Sequence, residues 1–302
     1  MVRITVIVAS KDREEDLARC LSGLAESAHE LDPCVGRLVE AVVVDDGSSS
    51  PYPDALPVTV GAPVRVLRNE IAVGASRSRD IAAAQARGEV LAFLDDDAVP
   101  RGDWLTVIAE NMRDGAVAIT GRVLPFDLGL LSRARQARYD LRYANLSPGD
   151  PVDFFAGGNS AVKTDDFTGA GGFGSTGSGS DNALVDKLRE RAHEVRFEPS
   201  LVIAHRNGKG WGPAITAAWG AGRTAGRSGD RRRILGRIRS SCVGADPLVR
   251  MANTALGTVH ALGAAFARSG PGTSPVTNGT DHRTQHRTGD AHGLATTPLQ
   301  HS

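Results

Sequence analysis

Two acidic clusters, Asp45-Asp46 and Asp95-Asp96-Asp97, each follow a run of β-branched and aliphatic residues. Crowded carboxylates cost energy unless a metal, a cation or hydrogen-bond donors offset them. Asp95 and Asp97 offer hard oxygen ligands of the kind that suits Mg²⁺ or Mn²⁺ bridging a diphosphate. A cation held there acts as a Lewis acid on a leaving diphosphate. The Asp46-Gly47-Ser48 turn is sharp, and its carboxylate can accept a hydrogen bond from a nucleobase or ribose. Either cluster alone also reads as a solvated turn with capping chemistry. Together, at the same end of one sheet, they point to a ligand crevice. Asp181 follows a glycine-dense stretch, Gly169 to Gly179, and opens a helical pattern. A carboxylate there can cap the helix. His205 ends Val202-Ile203-Ala204-His205 and by itself reads as a satisfied structural histidine after a buried strand.

The elements that must position these residues are legible in outline. Ile4 to Ala9, Ala41 to Val44, Val64 to Leu67 and Val90 to Leu94 are runs expected of strands buried on both faces. Leu17, Cys20, Leu21 and Leu24 recur at helical spacing, and Ser76 to Arg87 is an alanine-rich helical stretch. Alternation of this kind predicts a mostly parallel α/β sheet with helices on both faces. Beyond Thr106 the pattern is more mixed. A strand is expected near Val117 to Thr120, an Arg-rich helix over Leu131 to Arg142, a helix from about Asn182 to Arg191 and a strand over Val195 to Phe197. Ala245 to Arg268 reads as a helix that packs on the domain, a partner or a membrane surface, and the tail from Gly270 has too little apolar content to fold.

Lys+Arg and Asp+Glu balance at 35 each, so no global field draws in nucleic acid. Locally, Arg223, Arg227, Arg231, Arg232, Arg233, Arg237 and Arg239 crowd one stretch, suited to phosphates, acidic lipid or an acidic partner, or equally to a solvated helix face. The three cysteines, Cys20, Cys34 and Cys242, are far apart and fit a reducing cytoplasm rather than a disulfide framework or zinc site. The N-terminus opens into a strand pattern instead of a signal peptide, and no stretch reaches the ~20 apolar residues of a membrane span.

The chain resembles family 2 glycosyltransferases in a string of segments that keep the family's order. Ile4-Thr5-Val6-Ile7-Val8-Ala9-Ser10, Val43-Val44-Asp45-Asp46-Gly47-Ser48 and Asn69 through Gly74 are similar to its nucleotide-binding half. Ala86 through Asp97, followed by Pro100 and Trp104, resembles its metal-binding strand and acidic motif. Gly157-Gly158-Asn159-Ser160-Ala161-Val162 and Gly171-Gly172-Phe173 are similar to its acceptor-side segment. The resemblance implies a GT-A fold, Rossmann-like, and an inverting transfer from a nucleotide sugar, most often a UDP-sugar, assisted by Mn²⁺ or Mg²⁺. It implies nucleotide contacts at Ala9, Ser10, Asp46, Gly47, Ser48, Asn69, Gly74, Arg77 and Asp96, and metal contacts at Asp95, Asp97 and His205. Gly157, Gly158, Asn159 and Trp211 fall on the acceptor side. Ser180-Asp181 stands where the family carries an acidic pair, so Asp181 is the implied catalytic base although the glutamate is missing.

The implied organisation is a nucleotide-binding half over 1–100, an acceptor-binding and catalytic half over 101–229, a helical extension over 230–269 and a disordered tail over 270–302. The expected location is the cytoplasm, with peripheral membrane contact open through residues 223–268. Two other readings stay open on sequence alone. One is a haloacid-dehalogenase-like phosphatase using Asp95-Asp96-Asp97; the other is a degenerate nucleotide- or carbohydrate-binding module.

Overall fold

The computed structural model describes residues 1–54, 56, 58–174, 180–207, 210–228, 243–244 and 246–268. The first half runs β1 (Val2–Ser10), α1 (Glu14–Glu30), β2 (Gly36–Asp45), β3 (Val64–Arg68), α2 (Ala75–Ala83) and β4 (Val90–Asp95). There follow β5 (Ala98–Pro100), α3 (Trp104–Arg113), β6 (Ala118–Pro125), α4 (Leu130–Tyr143) and β7 (Pro151–Val152). The rest is β8 (Asn159–Lys163), α5 (Thr164–Gly169), α6 (Ser180–Glu190), β9 (Val195–His205), α7 (Trp211–Ser228) and α8 (Pro247–Arg268). The tail over 270–302 lies outside the described residues, as do residues 230–242, 245 and 269 of the expected helical extension and with them Arg231, Arg232, Arg233, Arg237, Arg239 and Cys242.

The strands form one mixed sheet in the order β3-β2-β1-β4-β8-β6-β9-β5, with β7 also on β9. Its first four strands are mutually parallel, as are β6 and β9; β8 runs antiparallel between β4 and β6. Ser10 is level with Asp45, and Ala9 is level with Asp95. Both acidic clusters therefore leave the sheet on either side of the end of β1.

Strand periodicity sends alternate residues into two cores. Val6 and Val8 of β1 and Leu94 of β4 face Leu17, Cys20, Leu21 and Leu24 of α1 and Trp104 and Ile108 of α3. Ile7, Val42, Leu91 and Phe93 face the opposite layer, where α2 and α6 supply Ala82, Leu184 and Leu188. Phe93 anchors that layer, with the rings of Phe155, Phe167 and Phe173 at 6.0, 5.4 and 5.1 Å. The edge-to-face pairs with Phe155 and Phe173 contribute about 0.5–1.5 kcal/mol each beyond their buried area. They hold the chain as far as Phe173, within the glycine-dense stretch, of which residues 175–179 lie outside the described set.

The structure differs from expectation in three places. Helix α2 stops at Ala83 instead of Arg87. The acceptor-side segment from Asn159 is a buried central strand, β8, whose five residues are too few to declare a period. Val195–Phe197 and Val202–His205 belong to one strand, β9, interrupted at Pro199. The pairing with β6 steps from Gly121–Glu198 to Arg122–Val202, so residues 199–201 bulge out where a proline cannot donate to the ladder. Gly121 is required there, because a β-carbon would overlap the Leu201 carbonyl. Asn159 closes the bulge, its Nδ2 donating to the carbonyls of Arg122 at 2.9 Å and Leu201 at 3.0 Å.

The two C-terminal helices pack closely through small residues: Gly222 meets the main chain of His260, Gly226 that of Ala264, and Gly263 that of Trp219. Val249 and Ala252 dock α8 on Ala134 of α4. Among the described residues no helix is long and apolar enough to cross a membrane.

Candidate active site

Asp95 and Asp97 lie at the end of β4, and His205 ends β9, which β5 joins to that turn by pairing Ala98 with His205. One potential ligand atom from each of the three side chains falls within 4.8 Å of the others. The His205 Nε2 is 3.0 Å from Asp97 Oδ1 and 3.6 Å from Asp95 Oδ2. Its Nδ1 is 3.1 Å from Asn207 Oδ1, which orients the ring so that Nε2 faces the carboxylates. Burial pulls the imidazolium down, but hydrogen bonds to Asp95 and Asp97 outweigh it and hold the pKa at about 9. Burial pushes the Asp95 carboxyl up, yet His205 and the Arg79 charge bring it to about 2. Two hard carboxylate donors and an oriented imidazole are a donor set that fits a divalent cation.

Asp96 points away from this trio. Its Oδ2 accepts from Ser10 Oγ at 2.9 Å and its Oδ1 from Arg13 Nη1 at 2.9 Å, while the same Arg13 nitrogen reaches Asp97 at 3.1 Å. Burial nonetheless leaves the Asp96 carboxyl raised above its ordinary value.

Asp46 is the hub of the neighbouring loop. Its Oδ1 accepts from Asn69 Nδ2 and Val73 N at 2.9 and 2.8 Å, and its Oδ2 from Gly74 N at 2.8 Å. Those donors overcome burial and lower its pKa. Gly47 has a φ of 72° and no room for a side chain against Ala72 N, so the turn depends on glycine. Ser48 Oγ accepts from Asp12 N at 2.9 Å. Asn69, Gly47, Ser48 and Gly74 thus shape the turn that aims Asp46, and Arg77 is exposed.

A cleft of about 420 Å³ is lined by Ala9, Ser10, Arg13, Asp46, the three aspartates of β4 and its turn, and His205. It shares Arg79, Asp95, Arg135 and His205 with an adjoining cavity of about 420 Å³ that Gly157, Gly158, Asn159 and Asp181 line. Asp181 sits in the first turn of α6. A main-chain hydrogen bond from Gly157 and the nearby Arg79 charge favour its ionised form, but burial prevails and raises its pKa. Arg79 links the two halves: its Nη2 lies 2.6 Å from Asp95 Oδ1 and its Nη1 4.0 Å from Asp181 Oδ1. Gly157 and Gly158 are small because Asp181 and Asp95, respectively, occupy the space a β-carbon would need. The Asn159 side chain is fully buried, its Oδ1 accepting from Trp104 Nε1 at 2.8 Å. Trp211 begins α7, is 46% exposed and is not among the residues that line these two cavities.

Sequence reading missed Arg13, Arg79 and Arg135. Arg77 and Arg79 are indistinguishable by composition; only the phase of α2 turns Arg79 inward. Arg135, Tyr139 and Arg142 share one face of α4 and line the second cavity, a pattern visible as spacing i, i+4 and i+7.

A family model described as glycosyl transferase family 2 matches residues 5–169. A pre-mycofactocin glycosyltransferase of Mycobacterium tuberculosis is 26% identical over 213 residues, 67% of this chain and 42% of that protein. The chain therefore spans less than half the length of that curated relative. Among solved structures, a mannosyltransferase from Pyrobaculum calidifontis in complex with GDP-Man and Mn²⁺ superposes with a TM-score of 0.55 at 19% identity, over 91% of this chain and 77% of that one. GalNAc-T7 with UDP, GalNAc and Mn²⁺ gives a TM-score of 0.53 at 17% identity, over 86% of this chain and 54% of that one.

Proposed function

Because the chain belongs to glycosyl transferase family 2, we propose that it moves a sugar from a nucleoside-diphosphate sugar to an acceptor hydroxyl with inversion. The observation that carries this reading is the Asp95–Asp97–His205 trio on one side of a cleft and Asp181 on the other. The trio would hold a divalent cation, which when bound offsets the charge of the departing diphosphate. Mg²⁺ keeps oxygen ligands and sheds water reluctantly, so an imidazole in the donor set favours Mn²⁺. Asp46, Ser10 and Asp96 border the part of the cleft suited to base and ribose, and a UDP-sugar is the donor proposed.

Asp181 receives the acceptor proton as the acceptor oxygen bonds to the sugar C1. The C1–oxygen bond to the diphosphate breaks in the same step, and its electron pair leaves with the nucleoside diphosphate. One displacement inverts C1. A carboxyl raised by burial is a stronger base than an ordinary aspartate. A phosphatase of the haloacid-dehalogenase kind places its acidic loop after the first strand, whereas this loop follows β4. Leu248, Met251, Leu262 and Phe266 are exposed on α8, which supports a peripheral membrane contact through the α7–α8 pair. Sedimentation with anionic vesicles tests that contact; binding that does not weaken as salt rises excludes the arginine attraction.

The deciding experiment for the reaction is a panel of nucleoside diphosphates in thermal unfolding, with Mn²⁺ and with EDTA. A donor-type nucleotide raises the melting temperature in Mn²⁺, because it binds the native state. Release of free nucleoside diphosphate from the matching sugar nucleotide then separates turnover from a binding module that has lost catalysis.

A further inference from the structure

Beyond the catalytic cleft lies a cavity of about 430 Å³ between α4 and α7. One wall is Arg135, Arg138 and Arg142 of α4; the other is Ala214, Ala217 and Ala221 of α7. Both sets recur at helical spacing, so each helix presents a uniform face, cationic on one side and small and apolar on the other. Leu131 and Leu256 extend the apolar side.

Arg135, Tyr139 and Arg142 also line the cavity that contains Asp181, so the two spaces adjoin across these side chains. Their guanidiniums are held by neutral groups: Arg135 Nε donates to Tyr139 Oη at 3.2 Å, and Arg142 lies 4.8 Å over the Phe154 ring. Neither forms an ion pair within 4 Å among the described residues. Asp95 and Asp97 act on Arg135 only through the field across the cleft. An arginine has five N–H donors in a planar fork suited to carboxylate or phosphate.

We infer that this cavity is the acceptor subsite and that it takes an amphiphilic acceptor bearing an anionic group. The carboxylate or phosphate lies on the α4 arginines, the apolar body on the alanine wall of α7, and the reacting hydroxyl reaches Asp181 past the side chains that the two cavities share. The inference rests on the glycosyl-transfer reading of the adjoining cleft and adds the class of acceptor. The alternatives for the anion, carboxylate and phosphate, share this chemistry and are separated by the probes.

The test uses the full chain and calorimetry with decyl phosphate, decanoate and neutral decyl glucoside, each below its micelle concentration. Wild type binds at least one anion roughly tenfold or more tightly than the glucoside, the worth of a charge-assisted hydrogen bond. Which anion binds better identifies the group. Arg138→Ala removes roughly tenfold of that affinity, and Ala217→Trp, at an exposed helical position that tolerates a larger side chain, blocks the wall and abolishes binding of all three probes. Both variants keep wild-type affinity for UDP and GDP in Mn²⁺ and a wild-type melting temperature. Equal binding of anions and glucoside, or anion binding untouched by both variants, overturns the inference. So does a chain that binds nucleotide but none of the probes. A chain that binds no nucleoside diphosphate overturns the glycosyl-transfer reading, and the inference with it.

Discussion

Asp95 folds back over Gly158: its amide donates to the Gly158 carbonyl at 3.3 Å, and its carboxyl fills the space where a β-carbon on residue 158 would stand. The glycine is therefore part of how the cation ligand is aimed. Gly158→Ala should displace the carboxyl and lower Mn²⁺-dependent nucleotide affinity roughly tenfold, about 1.4 kcal/mol. Gly220→Ala, where nothing lies within 4 Å, is the control and should be silent or slightly stabilising, since alanine favours helix. Calorimetry in Mn²⁺ reads the difference, and equal affinities would refute the positioning role.

The two acidic clusters should separate by metal dependence. Asp97→Asn should weaken nucleotide binding in Mn²⁺ and leave the smaller EDTA value unchanged. Asp46→Ala should weaken binding in both buffers, because Asp46 holds the loop from Asn69 to Gly74 through three hydrogen bonds. It should also cost about 1–3 kcal/mol of stability in urea, the penalty for leaving donors unsatisfied. An Asp46→Ala defect confined to metal-containing buffer would falsify the assignment.

How much of this was legible beforehand follows from the kinds of signal involved. The runs of β1, β2 and β4 mark themselves because strands buried on both faces are nearly continuously apolar, and Asp45 and Asp95 mark the ends of β2 and β4. The convergence of Asp97 with His205 was legible only as an implied ligand pair, because the pairing of β5 with β9 brings together residues 98 and 205. Nothing local announces that pairing. Asn159 illustrates the opposite limit. Its position in the acceptor-side segment was readable, but its bonds to Trp104 and to the β6–β9 bulge depend on a register step that a sequence period does not contain. Asp80 was silent for the same reason: it accepts from Phe173 N at 2.9 Å and Gly174 N at 3.1 Å, nearly a hundred residues away.

Asp181 should impose its own pH dependence. The base works ionised, so turnover falls as pH drops through its pKa, and burial places that midpoint above the ordinary aspartate value of about 3.9. Asp181→Asn should lower kcat by about 10²–10⁴ and remove this acid limb, with donor affinity near wild type. The stability sign is opposite to that of a salt-bridged carboxylate. A carboxyl whose folded pKa is raised holds its proton more tightly in the native state, so its contribution is present below the unfolded pKa and lost as pH rises through the folded one. Asp181→Asn should thus be neutral or stabilising at pH 7. A variant with wild-type turnover would leave Asp181 as a first-turn helix residue and no more.

Arg79 should govern turnover through the relation between the two halves of the cleft. Its side chain is buried, with Nη2 on Asp95 at 2.6 Å and Nη1 at 4.0 Å from Asp181, and its Nε has no hydrogen-bond partner. One planar fork thus spaces a cation ligand from the base. Lysine keeps the charge but reaches one carboxylate at a time. Arg79→Lys should therefore retain most Mn²⁺-dependent nucleotide affinity while kcat falls roughly tenfold to a hundredfold, the scale of a misplaced reacting group. Arg79→Met should lose both, because two half-buried carboxylates are left without their shared cation. The decisive measurement is the split between kcat and donor Kd in the lysine variant. If both fall together, Arg79 acts on the donor alone; if neither moves, the bridge is structural and the two halves of the cleft are aligned by the sheet without it.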